Sequence, residues 1–188
     1  RFFVWKKEQI SAFFDSIFRG YYVGSLLFWE PSDVSIGTNA VTGVDKKDNL
    51  VNNQIILDGQ QRITSIYYAL RSPEKGISGE KVFFYIDFNS FLKSEDGEII
   101  KIADKEIDEE IQFLKLWFPL NKLEDYDTWL DRWSRFVTEK NPELDFFKDI
   151  KSIEEIIRVK TRFMLKEFGC PYVALKDVGL EDVIDIFE

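Results

Sequence analysis

Residues 54 to 71, QIILDGQQRITSIYYALR, constrain the fold of this chain more than any other stretch. The run at 54–57 has the apolar, β-branched character of a short buried strand, and Asp58 and Gly59 form a turn sequence. After the turn, apolar residues recur at helical spacing at Ile63, Ile66, Tyr67 and Leu70. The sequence therefore predicts a strand, a glycine turn and an amphipathic helix with those four side chains on its buried face.

The predicted start of this helix carries an unexpected cation. Asp58 is predicted to cap the helix, and Gln61 three residues later completes a capping box. Arg62 does not fit this position, because a helix N-terminus carries about half a positive charge and favours anions. The sequence alone leaves two interpretations of Arg62 open.

In the first interpretation, Arg62 pairs with Asp58 at i, i+4 on a solvated face, an arrangement worth about 0.2–0.5 kcal/mol. In the second, Gly59, the side-chain amides of Gln60 and Gln61, the Arg62 guanidinium and backbone N–H groups converge on a phosphate. The stretch contains neither a Walker A loop nor a dinucleotide-binding glycine pattern. Neither of those nucleotide-binding motifs therefore explains it.

The absence of histidine restricts the chemistry that this sequence can support. It removes the usual general base, the usual transition-metal ligand and every Ser-His or Cys-His arrangement. A single cysteine, Cys170, excludes an internal disulfide and a cysteine-based zinc cluster, and is typical of a reducing cytoplasm. Catalysis would have to use carboxylates, Arg, Lys, Tyr or a metal ion bound by oxygen, such as Mg²⁺.

Charge is distributed unevenly along the 188 residues, whose net charge is −9. Residues 1–90 hold 10 Lys and Arg against 10 Asp and Glu, whereas residues 91–188 hold 15 against 24. If DNA binds, the first half is therefore the expected surface. No uninterrupted apolar run is long enough to span a membrane, and the start, RFFVWKKEQI, resembles no signal peptide. We expect a soluble, cytoplasmic, internal fragment of a longer protein.

Hydrophobic periodicity predicts an α+β fold, because helices and strands mix without strict βαβ alternation. Besides the opening stretch, it predicts helices at 7–19, 126–138 and 152–167, strands at 24–30 and 81–88, and a polar loop or hairpin at 31–53. A last strand and the start of a helix follow from residue 171. We expect one compact unit with a core at 1–90, an acidic and largely helical segment at 91–170, and a return strand at 171–188.

Three segments resemble the N-terminal domain of GmrSD-type restriction endonucleases, in the ParB/sulfiredoxin-like superfamily. They are RFFVWKKEQISAFFDSIFRGYYVGSLLFWE at 1–30, ILDGQQRITSIYYAL at 56–70, which contains the family's DGQQR signature, and LEDVIDIFE at 180–188. Residues 91–165 match the family only in the order and character of their segments. The sequence departs from the R-P-[YF] that commonly opens the family, because it begins Arg1-Phe2-Phe3.

The resemblance implies a small mixed sheet with packed helices, and a module that binds and hydrolyses, or senses, a nucleoside triphosphate. In complete proteins such a module controls an HNH-type nuclease that cuts modified or foreign DNA, as in phage defence. An HNH centre cannot exist in a chain without histidine, so the nuclease would lie outside this sequence or on another chain.

The resemblance also assigns roles to individual residues of this sequence. It implies a phosphate site made of Gly59, Gln60, Gln61 and Arg62, with Thr64 on the next turn, and catalytic roles for Asp58, Gln60, Gln61 and Arg62. Asp58 would be either a helix cap or a ligand of Mg²⁺. Near the amino terminus, Arg1, Lys6 and Gln9 could reach the same cleft. The alternative is a non-catalytic DNA-binding or assembly module that grips a backbone phosphate at the same helix N-terminus.

Overall fold

The computed structural model describes residues 3–31, 54–73, 76, 80–93, 97–141 and 150–186. The helices in this part of the chain are α1 (Lys7–Phe18), α2 (Gln60–Arg71), α3 (Phe88–Leu92), α4 (Glu109–Lys115), α5 (Tyr126–Lys140), α6 (Lys151–Arg162) and α7 (Leu180–Asp185). The strands are β1 (Leu26–Glu30), β2 (Ile55–Asp58), β3 (Phe83–Asp87), β4 (Ile100–Ala103), β5 (Trp117–Pro119) and β6 (Tyr172–Lys176). A 3-10 helix at Leu120–Asp125 precedes α5, and a π-helical turn at Phe163–Glu167 extends α6.

This architecture confirms the predicted α+β class. Strands β2, β1 and β6 form one sheet, in which β1 is antiparallel to β2 and parallel to β6. Strands β4, β3 and β5 form a second, antiparallel sheet. The run at 81–88, predicted as a strand, becomes the central β3, whose five residues are all buried. The loop predicted at 31–53 lies outside the described residues except for Pro31.

Helix α1 forms where the sequence predicted it, because its apolar residues recur on one face. That face is buried in the structure and consists of Ile10, Phe13, Phe14, Ile17 and Phe18. Together with β3, β4, β5, α5 and α6 it forms one hydrophobic core that joins residues from both sides of position 90. The second sheet likewise crosses that position, since β4 and β5 pair with β3.

The prediction of which face of α2 is buried is wrong: the buried positions are shifted by about one residue along the sequence from the predicted ones. The buried residues are Thr64, Ser65, Tyr68 and Ala69 rather than Ile63, Ile66, Tyr67 and Leu70. Ile66 and Leu70 pack against the core while remaining partly exposed. The small side chains on the buried face allow the helix backbone to approach the core closely, and the larger apolar side chains flank that contact.

The first sheet brings two distant segments together at the start of α2. Because β1 and β2 are antiparallel, with Leu27 opposite Asp58, the entry to β1 lies beside the exit from β2. The entry to β1 also contacts the segment before β6, since Leu26 N donates to Pro171 O and Cys170 Sγ to Gly24 O. Among the described helices, none is both long and apolar enough to cross a membrane.

Candidate phosphate-binding site

A cavity of about 300 Å³ lies at the amino-terminal end of α2. Polar residues of the motif form one side of it, and the apolar residue before the motif and two others from distant segments complete the wall. The lining residues are Trp5, Val23, Leu57, Asp58, Gly59, Gln60, Gln61 and Arg62. The structure therefore brings all five residues of the DGQQR signature to one concave surface.

The helix cap differs from the prediction. Gly59, not Asp58, is the N-cap of α2, and Asp58 is the last residue of β2. Gly59 has φ of +93°, and a Cβ at this position would overlap the Leu26 side chain. Only glycine adopts such a backbone at low cost, so the strand can turn directly into the helix. Within the described residues the N-cap position makes no side-chain capping bond, so the predicted capping box between Asp58 and Gln61 is wrong.

Arg62 lies against the entry to β1 rather than on an open helix face. Its Nη2 donates to Asp58 Oδ2 at 2.9 Å, and its Nη1 donates to Val23 O at 3.2 Å. The Arg62 side chain is 17% exposed, whereas that of Asp58 is 59% exposed. The pair of the first interpretation is therefore present, but its guanidinium is largely buried beside the cavity instead of lying on a solvated face.

Gly24 makes room for this guanidinium. Its φ is +90°, and a Cβ on Gly24 would overlap Nη1 of Arg62. With contacts to Val23, Gly24 and Asp58, the arginine is held in one orientation before any ligand arrives. Such preorganisation favours binding, because less side-chain freedom remains to be lost.

The two glutamines of the motif hold backbone groups. Gln60 Nε2 donates to Ile56 O at 2.8 Å, which ties the helix to β2. Gln61 Oε1 accepts from the backbone N–H groups of Val4 at 2.9 Å and Trp5 at 3.3 Å. Both side chains therefore shape the cavity in addition to lining it.

Of the other predicted site residues, those that the structure describes lie outside the cavity lining. Thr64 is buried on the core side of α2. Lys6 and Gln9 are exposed at the start of α1, where Lys6 N donates to Gln9 Oε1 at 2.9 Å. Arg1 lies outside the described residues. The capping contact predicted for α2 thus occurs at α1.

The donor set offers one carboxylate to a metal ion. Asp58 is exposed at the cavity edge, and no group of three or more acidic or cysteine side chains within the described ranges is arranged to hold a metal. Mg²⁺ is commonly held by one or two carboxylates together with phosphate oxygens and water. The residues present fit a Mg²⁺ ion that arrives with a triphosphate better than a resident ion held by protein alone.

Sequence reasoning missed the apolar part of the cavity wall, which consists of Trp5, Val23 and Leu57. It also missed the role of Gly24. A glycine at the first position of the strand predicted at 24–30 was a usable signal for Gly24, since positive φ values concentrate at glycine. Trp5 gave no comparable signal, because its place in the wall depends on a contact with Gln61, 56 positions away.

A larger cavity of about 520 Å³ lies between α4 and α5, away from the motif. Its buried polar groups already have partners: Trp129 Nε1 donates to Gln112 Oε1, and Gln112 Nε2 donates to Ile107 O. Size alone does not indicate function. We place the candidate site at the smaller cavity, because its lining includes the Arg62 guanidinium, which is already held in one orientation.

Comparison with known proteins gives an independent result. The family model described as GmrSD restriction endonuclease, N-terminal domain, matches residues 1–188. An uncharacterized protein of Methanocaldococcus jannaschii is 26% identical over an alignment that covers 76% of this chain and 28% of that protein. The chain therefore spans less than a third of the length of this relative.

Proposed function

The chain belongs to the family of GmrSD restriction endonuclease N-terminal domains, and from that premise we propose that it binds and hydrolyses a nucleoside triphosphate to regulate a restriction endonuclease. The observation that carries the proposal is the Arg62 guanidinium, fixed by Val23 and Asp58 at a cavity that also contains the start of α2. A helix N-terminus and an adjacent arginine are complementary to the charge of a phosphate chain.

Each part of the motif has a role in this proposal. Arg62 neutralises charge on the terminal phosphates, and the backbone of residues 59–61 surrounds them. A glutamine side chain of the motif, Gln60 or Gln61, orients the attacking water. Asp58 holds the Mg²⁺ that accompanies the triphosphate and offsets its negative charge.

The domain would act as a switch for a nuclease located elsewhere. HNH chemistry requires histidine, and this sequence has none, so the nuclease that cuts modified or foreign DNA belongs to another region or another chain. A cytoplasmic phage-defence system is the setting that we propose. DNA contact would fall on the first half of the chain, where positive and negative charges balance, rather than on the acidic second half.

Calorimetric titration tests this function against the alternative of a DNA-binding or assembly module. The protein is titrated with non-hydrolysable analogues of the four ribonucleoside triphosphates, each with Mg²⁺, and separately with a DNA duplex. We expect saturable binding of at least one triphosphate in the absence of DNA. Binding of DNA together with no binding of any triphosphate would favour the alternative, in which Arg62 grips a backbone phosphate.

Arg62→Ala should abolish triphosphate binding, because it removes the charge-assisted contact that carries the proposal. The free energy of unfolding should fall by about 1–2 kcal/mol, since Val23 O and Asp58 lose a partner in a half-buried setting. Arg71→Ala is the matched control, because Arg71 lies at the other end of α2 in an exposed pair with Glu124. Calorimetry and urea unfolding give both quantities, and retained triphosphate affinity in Arg62→Ala would contradict the assignment.

A further inference from the structure

Gln61 docks the amino-terminal segment onto the motif helix. Its Oε1 accepts both the Val4 and the Trp5 backbone N–H groups, at 2.9 and 3.3 Å. The segment also makes aromatic contacts on each side of this point: Phe3 stacks on Tyr68 at 5.7 Å, and Trp5 meets Phe13 edge-on at 5.5 Å. Residues 3–5 therefore lie along α2 from Gln61 in its first turn to Tyr68 in its third.

Docking of this segment brings an indole into the cavity wall. Trp5 lines the same cavity as Arg62, and it is only partly buried although it packs against the core. Its side chain therefore keeps a surface that a ligand can contact. The Trp5 Nε1–H donates to no other residue in the part of the chain that the structure describes.

We infer that Trp5 contacts the nucleoside portion of the bound triphosphate, and that Gln61 is the positioning residue that holds Trp5 in place. The inference rests on the proposed function. A phosphate chain at Arg62 directs the rest of the nucleotide along the cavity, where Trp5, Val23 and Leu57 provide apolar surface. An aromatic side chain is suited to this contact, because every nucleobase has a π-face on which it can stack.

This arrangement couples the motif to the amino-terminal segment. A ligand that contacts both Arg62 and Trp5 stabilises the docked segment, and the docked segment completes the ligand site. Gln61 thus contributes to affinity through Trp5 rather than through the phosphate. The coupling is measurable without nucleotide, because the Val4 and Trp5 amides are protected only while they donate to Gln61.

Amide hydrogen exchange and calorimetric titration with a non-hydrolysable triphosphate and Mg²⁺ test the inference together. Gln61→Met removes the acceptor and should speed exchange of the Val4 and Trp5 amides and weaken triphosphate binding, each by about tenfold. Gln61→Glu keeps an acceptor and should restore amide protection. Trp5→Leu should weaken binding about tenfold while the amides within α2 stay protected. The matched controls Gln54→Met and Trp117→Leu, at residues outside the cavity lining, should change neither quantity.

The possible results distinguish three statements: that Gln61 holds the amino-terminal segment, that Trp5 contacts the ligand, and that the protein binds a triphosphate. Wild-type exchange rates in Gln61→Met would show that Gln61 does not hold the segment. If wild type binds the triphosphate and both Gln61→Met and Trp5→Leu bind it with the wild-type affinity, this inference is overturned and the proposed function is left intact. Absence of triphosphate binding by wild type would overturn the proposed function and the ligand contact of Trp5 with it.

Discussion

The contact between Gly24 and Arg62 shows how one backbone position can set the orientation of a functional side chain. Two features require glycine at position 24: the backbone φ of +90°, and the Arg62 guanidinium, which occupies the space that a Cβ would need. The DGQQR signature locates Arg62 in the sequence, but nothing in the signature indicates which group orients it. That information lies in the antiparallel pairing of β1 with β2, which places the entry to β1 beside the motif.

Gly24→Ala should weaken triphosphate binding by displacing the Arg62 guanidinium, and it should also destabilise the fold. Gly20→Ala is the matched control, because Gly20 has a similar φ of +77° but open space around its Cβ position. Both variants should lose about 1–2 kcal/mol of stability from the left-handed backbone. Urea unfolding and calorimetry measure the two effects. Equal triphosphate affinity in both variants would show that the contact with Arg62 is unimportant for binding.

Asp58→Asn separates a metal ligand from a simple partner of Arg62. Asp58 does not cap α2 and its own side chain is 59% exposed, so weakening its pair with Arg62 should alter stability by less than about 1 kcal/mol. If Asp58 holds Mg²⁺ beside the triphosphate, affinity measured with Mg²⁺ should fall at least tenfold, and affinity measured with EDTA should change little. Equal losses under both conditions would rule out the metal role.

At the scale of single elements, the accuracy of the sequence reasoning depended on length and amphipathicity. Helix α1 was predicted because its apolar residues recur at helical spacing, and strand β3 because it lies in a continuous apolar run typical of a buried strand. Helices α3 and α4 and strand β5 were not predicted, since each spans seven residues or fewer and depends on its neighbours. In β5, for example, the pairing with β3 holds three residues that contain a proline.

The misplaced face of α2 has a measurable consequence. Ile63 is only partly buried, whereas Ile17 of α1 is fully buried. Ile17→Ala should therefore cost about 2–5 kcal/mol of unfolding free energy, and Ile63→Ala less than about 1.5 kcal/mol. Chemical denaturation of the two variants measures this directly. A loss of unfolding free energy in Ile63→Ala as large as that in Ile17→Ala would show that Ile63 is buried, as the periodicity predicted.

At the scale of the whole molecule, the acidic second half contributes packing to the first. Its residues Phe118, Trp129 and Ile157 belong to the same hydrophobic core as Ile10 and Phe84. Composition distinguished the two halves by charge, but charge resides on the surface and carries little information about which apolar faces meet. Core formation between distant segments, like the docking of residues 3–5 on α2, is therefore the part of the structure that a local sequence pattern does not specify.

The alkaline stability of the whole molecule should depend on Tyr85 in the core of the second sheet. Tyr85 is 1% exposed, and burial raises the pKa of its hydroxyl, although the N–H that Ile107 donates to it at 2.9 Å acts in the opposite direction. In the unfolded chain the pKa is about 10. A raised folded-state pKa means that the Tyr85 hydroxyl loses its proton at a lower pH in the unfolded chain than in the folded one. The contribution of the protonated hydroxyl to the free energy of unfolding is therefore fully present below about pH 10 and is lost as the pH rises above that value.

Tyr85→Phe cannot ionise, and its unfolding free energy should fall less steeply between about pH 10 and pH 11 than that of wild type. Urea unfolding at a series of pH values measures both slopes, with Tyr22→Phe, at an exposed position, as the control. Parallel decline of wild type and Tyr85→Phe would mean that the buried hydroxyl does not govern alkaline unfolding.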